Sequence, residues 1–142
     1  MQLFVYGVLI RELARGRAAE LIAALDDGVP ATVRGTLYAL NSPDGGWYPI
    51  LLPDPHGAPV HGIVHEAGRV DWLAMDEFED AHGGPDAEYE RRDLPVTLGN
   101  GFTTSAFAYC YVRDLPADAM PIPHGDFGRW LRETGHTAIE AR

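Results

Sequence analysis

The stretch Tyr89-Glu90-Arg91-Arg92-Asp93-Leu94-Pro95-Val96-Thr97-Leu98-Gly99-Asn100-Gly101-Phe102-Thr103-Thr104-Ser105-Ala106-Phe107-Ala108-Tyr109-Cys110-Tyr111-Val112 sets the fold class. Asn100-Gly101 is a hairpin-turn pair, since both residue types tolerate the positive φ such turns require. Tyr89 to Leu98 and Thr103 to Val112 therefore read as two strands joined by that turn. In the second, Phe107, Tyr109 and Tyr111 alternate with Ala108 and Cys110, the period of a strand with two unlike faces.

Further strands precede the hairpin. Leu3 to Tyr6 is a short apolar strand running into a turn at Gly7. Thr32 to Leu40, interrupted by Gly35, leads into the turn Asn41-Ser42-Pro43-Asp44-Gly45-Gly46. Trp47 to Leu52 and Val60 to Glu66 flank the loop Pro53-Asp54-Pro55-His56-Gly57. Helical spacing of Leu13, Ala14, Ala18, Leu21, Ile22 and Leu25 predicts a helix over Arg11 to Asp26, closed by Gly28 and Pro30. Asp71 is placed to cap a short helix through Phe78, followed by a loop from Asp80 to Asp86. Asp126 to Thr134 reads as a last helix with Phe127, Trp130 and Leu131 on its apolar side. About six strands, few helices and no repeated βαβ unit predict one α+β domain over residues 1–142, its mixed sheet curled towards a small β-barrel with flanking helices.

Composition removes several classes of function. At 142 residues, 46% hydrophobic and 23% charged, the chain can bury one real core. The net charge is -10, and all eleven basic residues are arginine, so phosphate backbones are repelled and nucleic acid is not an expected partner. No apolar run approaches the roughly 20 residues of a membrane helix. Met1 to Gly7 lacks the basic region and apolar core of a signal peptide, and the single Cys110 suits a reducing compartment. The cytoplasm is the expected location.

The common catalytic groups are also scarce. Ser42 lies in a turn, Ser105 lies in a strand, and there is no Gly-x-Ser-x-Gly elbow. Cys110 reads as a buried structural thiol. His61 and His65 share a strand face but lie too far apart to act as a helical metal pair, and His56, His82, His124 and His136 read as loop or surface residues. No metal site and no phosphate-binding glycine loop is expected. Carboxylates remain.

In the segment Val70 to Asp80, helical spacing sets Glu79 on the apolar face of Trp72 and Met75, while Glu77 and Asp80 point away. A carboxyl group held there favours its neutral form, and neighbouring Asp76 should push in the same direction. After the first strand, Tyr6 to Leu9 should expose consecutive backbone N–H groups before a helix start, a setting that holds carboxylates and oxyanions. Most glutamates are solvated surface charge, and many strands end at a glycine, so neither feature alone decides a function.

In order, Phe4-Val5-Tyr6-Gly7-Val8-Leu9, Gly35-Thr36-Leu37-Tyr38, Trp47-Tyr48-Pro49, Val60-His61-Gly62-Ile63-Val64-His65, Met75-Asp76-Glu77-Phe78-Glu79, Tyr89-Glu90-Arg91-Arg92 and Ile122-Pro123-His124-Gly125-Asp126-Phe127 span nearly the whole chain. Together they resemble the gamma-glutamylcyclotransferase-like superfamily. The resemblance implies that Glu79 is catalytic and that Tyr6, Gly7, Val8 and Leu9 form the substrate loop. It implies a small gamma-glutamyl amide as substrate, cyclised to 5-oxoproline with release of an amine, and no metal or organic cofactor. Tyr89, Tyr48 and Tyr109 are candidate pocket residues, and Arg91 or Arg92 could pair with an anionic substrate tail. Two positions depart from the family pattern: Val8 where a hydroxyl residue is common, and Asp80 where glycine is frequent. A non-catalytic descendant that binds a small ligand or a protein is the alternative. The released amine and the choice between monomer and homodimer stay open.

Overall fold

A computed structural model describes residues 1–7, 23, 25–43, 45–79, 81, 83 and 86–139, with Phe78 known by its backbone alone. The expected helix over Arg11 to Asp26 lies almost entirely outside these residues; Leu25 and Asp26, which are described, are not helical.

The hairpin forms as its sequence requires. Strands Tyr89–Leu98 and Thr103–Tyr111 pair antiparallel from Tyr89 against Tyr111 to Thr97 against Thr103. Gly101, at φ 90°, donates its N–H to the Leu98 carbonyl at 2.9 Å, and Leu98 N–H reaches Phe102 O at 2.8 Å. In chain order these two strands are β5 and β6. Before them come β1 (Gln2–Val5), β2 (Val29–Asn41), β3 (Trp47–Pro53) and β4 (Ala58–Glu66); a two-residue β7 (Met120–Pro121) follows. The sequence reading lacked β7, which pairs with β2 at Tyr38 and Ala39.

A closed barrel arises because β2 is long enough to pair on both sides. Residues 29–35 of β2 lie against β4, residues 35–41 lie against β3, and Ala31 and Thr32 meet Leu98 and Thr97 of β5. β4 then pairs with β1, β1 runs parallel to β6 at Leu3 and Phe107, and β6 returns to β5. The result is a closed mixed barrel of five strands, with β3 and β7 attached to β2. β2 begins at Val29 rather than Thr32, because Pro30 sits near the strand start, where a missing N–H is tolerated. Gly35 does not end the strand; there β2 exchanges one partner for the other.

Alternation along the strands separates two cores. Phe4, Val33, Val60, Val64, Val96, Ala106 and Ala108 come from all five barrel strands and belong to one buried cluster, the interior. Leu3, Val5, Tyr109 and Tyr111 face outward into a second cluster with Ile50 and Met75. The small residues of β6 point inward because a five-strand barrel has little room. Gly62 follows from the same constraint: a Cβ there would overlap the Val5 carbonyl oxygen and lie 2.7 Å from Phe4 Cζ. Gly62→Ala should force β1 and β4 apart and cost about 1–3 kcal/mol, a loss measurable as a lowered urea midpoint.

Two helices close the described structure. Helix α1 (Trp72–Phe78) is capped by Asp71, whose carboxylate accepts the Ala74 N–H at 3.2 Å, and it buries Met75 in the outer cluster. Helix α2 (Phe127–Thr134) is capped by Asp126 on Arg129 N–H at 3.0 Å and ended by Gly135 in the left-handed region. Its buried face, Phe127, Trp130 and Leu131, joins the interior cluster, and Trp130 packs edge-on to Trp47 at 5.3 Å. The Asp71 cap falls where the sequence put it, and Asp126, read there as the first residue of the last helix, is its cap.

The two strand histidines differ in setting. His61 is exposed, but His65 is 2% exposed and lies 2.8 Å through Nδ1 from the Asp26 carbonyl, a contact that requires the Nδ1–H tautomer. His124 accepts the Asp126 N–H at Nδ1 and donates through Nε2 to Glu133 at 2.9 Å, tying the loop after β7 to α2.

Candidate active site

The end of β1 meets β3, β5 and β6 at a cluster of tyrosines. Tyr6 is buried, and its hydroxyl donates to the Tyr109 carbonyl. Gly7 packs against the ring of Pro49; a Cβ there would lie 2.9 Å from Pro49 Cδ and overlap Cγ, so only glycine lets the chain pass so close. The Pro49 carbonyl accepts the Tyr89 hydroxyl at 2.9 Å. Next to it, Tyr48 donates to Glu88 Oε2 at 2.8 Å. The structure thus gathers Tyr6 and Gly7 with Tyr48 and Tyr89, each some forty or more positions further along the chain, at one place. Val8 and Leu9 lie outside the described residues.

Glu79 joins this cluster from α1. It is the C-terminal cap of that helix, with its N–H bonded to the Met75 carbonyl at 3.0 Å. Its side chain is partly buried, and desolvation, followed by the charge of Glu88, raises its pKa to about 8. The negative charge of Glu79 in turn helps raise the pKa values of Tyr6, Tyr89 and Tyr109, for each of which burial is the main cause. These hydroxyls therefore remain proton donors across the physiological range.

The expected role of Asp76 needs correction. Its carboxylate does not act on Glu79; it accepts the Tyr109 hydroxyl at 2.6 Å and lies 3.5 Å from Arg91 Nε. Arg91 is partly buried, its guanidinium 4.4 Å from the centre of the Trp72 ring and 5.2 Å from that of Phe107. Arg92, its neighbour, is exposed and pairs with Glu90 at 3.1 Å. The polar ends of Tyr109 and Arg91 are thus engaged with α1. Glu88, which the sequence reading did not single out, supplies the second negative charge near Glu79. Its only sequence signal was its place directly before Tyr89.

Cys110 is buried among interior residues, and burial raises its thiol pKa to about 11, which keeps the thiol protonated. Among the described residues, no group of three or more His, Cys, Asp or Glu side chains could hold a metal ion. Among the same residues, no helix is long and apolar enough to cross a membrane.

Comparison with known proteins assigns the family and the fold. The model of the family described as gamma-glutamyl cyclotransferase, AIG2-like, matches residues 3–131, and the chain belongs to that family. No curated protein matches the chain in sequence. Among solved structures, YkqA from Bacillus subtilis superposes with a TM-score of 0.67 at 19% identity, covering 94% of this chain. The chain spans only 42% of the length of YkqA. A structure named as a gamma-glutamyl cyclotransferase gives a TM-score of 0.64 at 19% identity, covering 86% of this chain and 71% of its own. An AIG2-like protein from Mus musculus gives 0.54 at 23% identity, covering 81% and 79%. At these identities the superpositions establish a shared fold.

Proposed function

We propose that this protein cyclises a small gamma-glutamyl amide to 5-oxoproline and a free amine, with Glu79 as the general acid/base. The observation that carries the reading is a partly buried carboxyl with a pKa of about 8, set among tyrosines at the end of β1 in a chain of this family. In the reaction the substrate α-amine attacks its own γ-carbonyl, forming the ring C–N bond. The bond to the leaving nitrogen then breaks. Glu79, in its ionised form, takes the proton shed by the attacking amine and delivers it to the leaving nitrogen, so it ends the cycle as it began. A pKa near 8 suits both transfers: the group is basic enough to accept a proton and acidic enough to return it.

Both reacting groups belong to one molecule, so the protein's main task is to hold a folded conformer. The backbone from Tyr6 to Leu9 would bind the glutamyl carboxylate or the developing oxyanion, with Val8 contributing N–H and no hydroxyl. Tyr89 and Tyr48 would line the pocket beside Pro49. The chemistry requires no metal or organic cofactor. Incubation with a panel of gamma-glutamyl amines, read by 5-oxoproline release, should show turnover on at least one member. No release from any member, with a saturable thermal shift by glutamate, would replace this reading by that of a binding protein.

A further inference from the structure

We propose that Tyr109 is a positioning residue, tying the end of β1 to the helix that carries Glu79. Its two polar groups face different elements. The backbone carbonyl accepts the hydroxyl of Tyr6, one residue before Gly7. The side-chain hydroxyl donates at 2.6 Å to Asp76, in the turn of α1 that ends at Glu79. One residue of β6 therefore connects the two halves of the candidate site.

Helix α1 depends on such a connection. Seven residues make a helix of two turns, too short to hold its place through its own hydrogen bonds. Met75 is wholly buried and Trp72 packs edge-on to Phe107 at 5.6 Å, which keeps the helix on the barrel, but these apolar contacts lack the direction of a hydrogen bond that would set its rotation about its own axis. The Tyr109 hydroxyl, together with Arg91 lying over Trp72 and Phe107, fixes that rotation through Asp76. Because Glu79 is the cap of this helix, a roll would carry its carboxyl away from Glu88, Tyr6 and Tyr89 and towards water.

Tyr109→Phe removes the hydroxyl and nothing else. Asp76→Ala removes its acceptor, and Asp76→Asn keeps an oxygen to receive the bond. The inference rests on Glu79 as the acid/base, but it can be tested without turnover, by 13C NMR titration of the Glu79 carboxyl in the full-length protein. In wild type the midpoint should lie near 8. In Tyr109→Phe and in Asp76→Ala it should fall by about one unit, because the freed carboxyl gains water. Asp76→Asn should recover at least half of that shift. Unchanged midpoints in both Tyr109→Phe and Asp76→Ala would overturn the proposal. If one of the two fails to fold, the other decides.

On a gamma-glutamyl amide that is turned over, Tyr109→Phe should lower kcat about tenfold with little change in KM. In a Glu79→Gln background the same change should have no further effect, as expected of a residue that acts through Glu79. An equal loss in both backgrounds would overturn the positioning role. Failure of the cyclisation reading shows separately, as absence of 5-oxoproline from wild type, and leaves the NMR result decisive for Tyr109.

Discussion

Glu79→Gln is expected to lower kcat for 5-oxoproline release by about 10²- to 10⁴-fold while leaving KM within a few-fold of wild type. The amide keeps the size and hydrogen-bonding reach of the carboxyl but cannot shuttle a proton. The substrate would still bind through the β1 loop, so ground-state affinity should largely survive. The fold should survive too, because Glu79 contributes to α1 through its backbone N–H on the Met75 carbonyl, which Gln retains. Initial rates on a substrate identified from the panel measure both constants. A loss confined to KM would assign Glu79 to binding rather than to proton transfer.

The same substitution should stabilise the protein in alkali. The Glu79 carboxyl has a pKa of about 8 when folded, against the 4.5 of a freely solvated glutamate. Below pH 4.5 both states hold the proton, and burial carries no ionisation penalty. Between those values the unfolded chain has lost a proton that the folded chain keeps, so stability falls as pH rises. Above 8 the folded site is also ionised, and the penalty is complete. At 1.4 kcal/mol per pH unit, and allowing for the partial exposure of the side chain, it is on the order of 3 kcal/mol. Gln never ionises and escapes it. Thermal melts should therefore coincide for wild type and Glu79→Gln at pH 4, and the variant should melt about 5–10 °C higher at pH 9. Coincident melts at both pH values would mean that the carboxyl is not held in its neutral form.

Local rules made much of the fold legible. Asn100-Gly101 marks the hairpin, the alternation of Phe107, Tyr109 and Tyr111 marks its outward face, and Asp71 and Asp126 start the two helices. These signals are read within a few residues of one another. Closure of the barrel is another matter. It depends on Ala31 and Thr32 reaching Leu98 and Thr97, a pairing between residues more than sixty positions apart that no local pattern encodes.

The site shows the same division. Apolar helical spacing set Glu79 beside Met75, and desolvation is indeed the largest cause of its raised pKa. The charge that adds to it was misassigned to Asp76, three residues earlier on the helix. Asp76 is taken up by Tyr109 and Arg91, while Glu88 arrives in space from the start of β5. The setting of His65 follows the same rule: its place on a strand is local, but the Asp26 carbonyl that engages its Nδ1 comes from a distant segment.

The most direct test of the central claim is 5-oxoproline release by wild type and Glu79→Gln on one gamma-glutamyl amide, followed from pH 6 to pH 9. The account predicts a wild-type kcat that rises with pH through an inflection near 8, and a Glu79→Gln rate that is at least about a hundredfold lower and lacks that inflection. A Glu79→Gln enzyme that turns over at the wild-type rate, or keeps the same inflection, would contradict it.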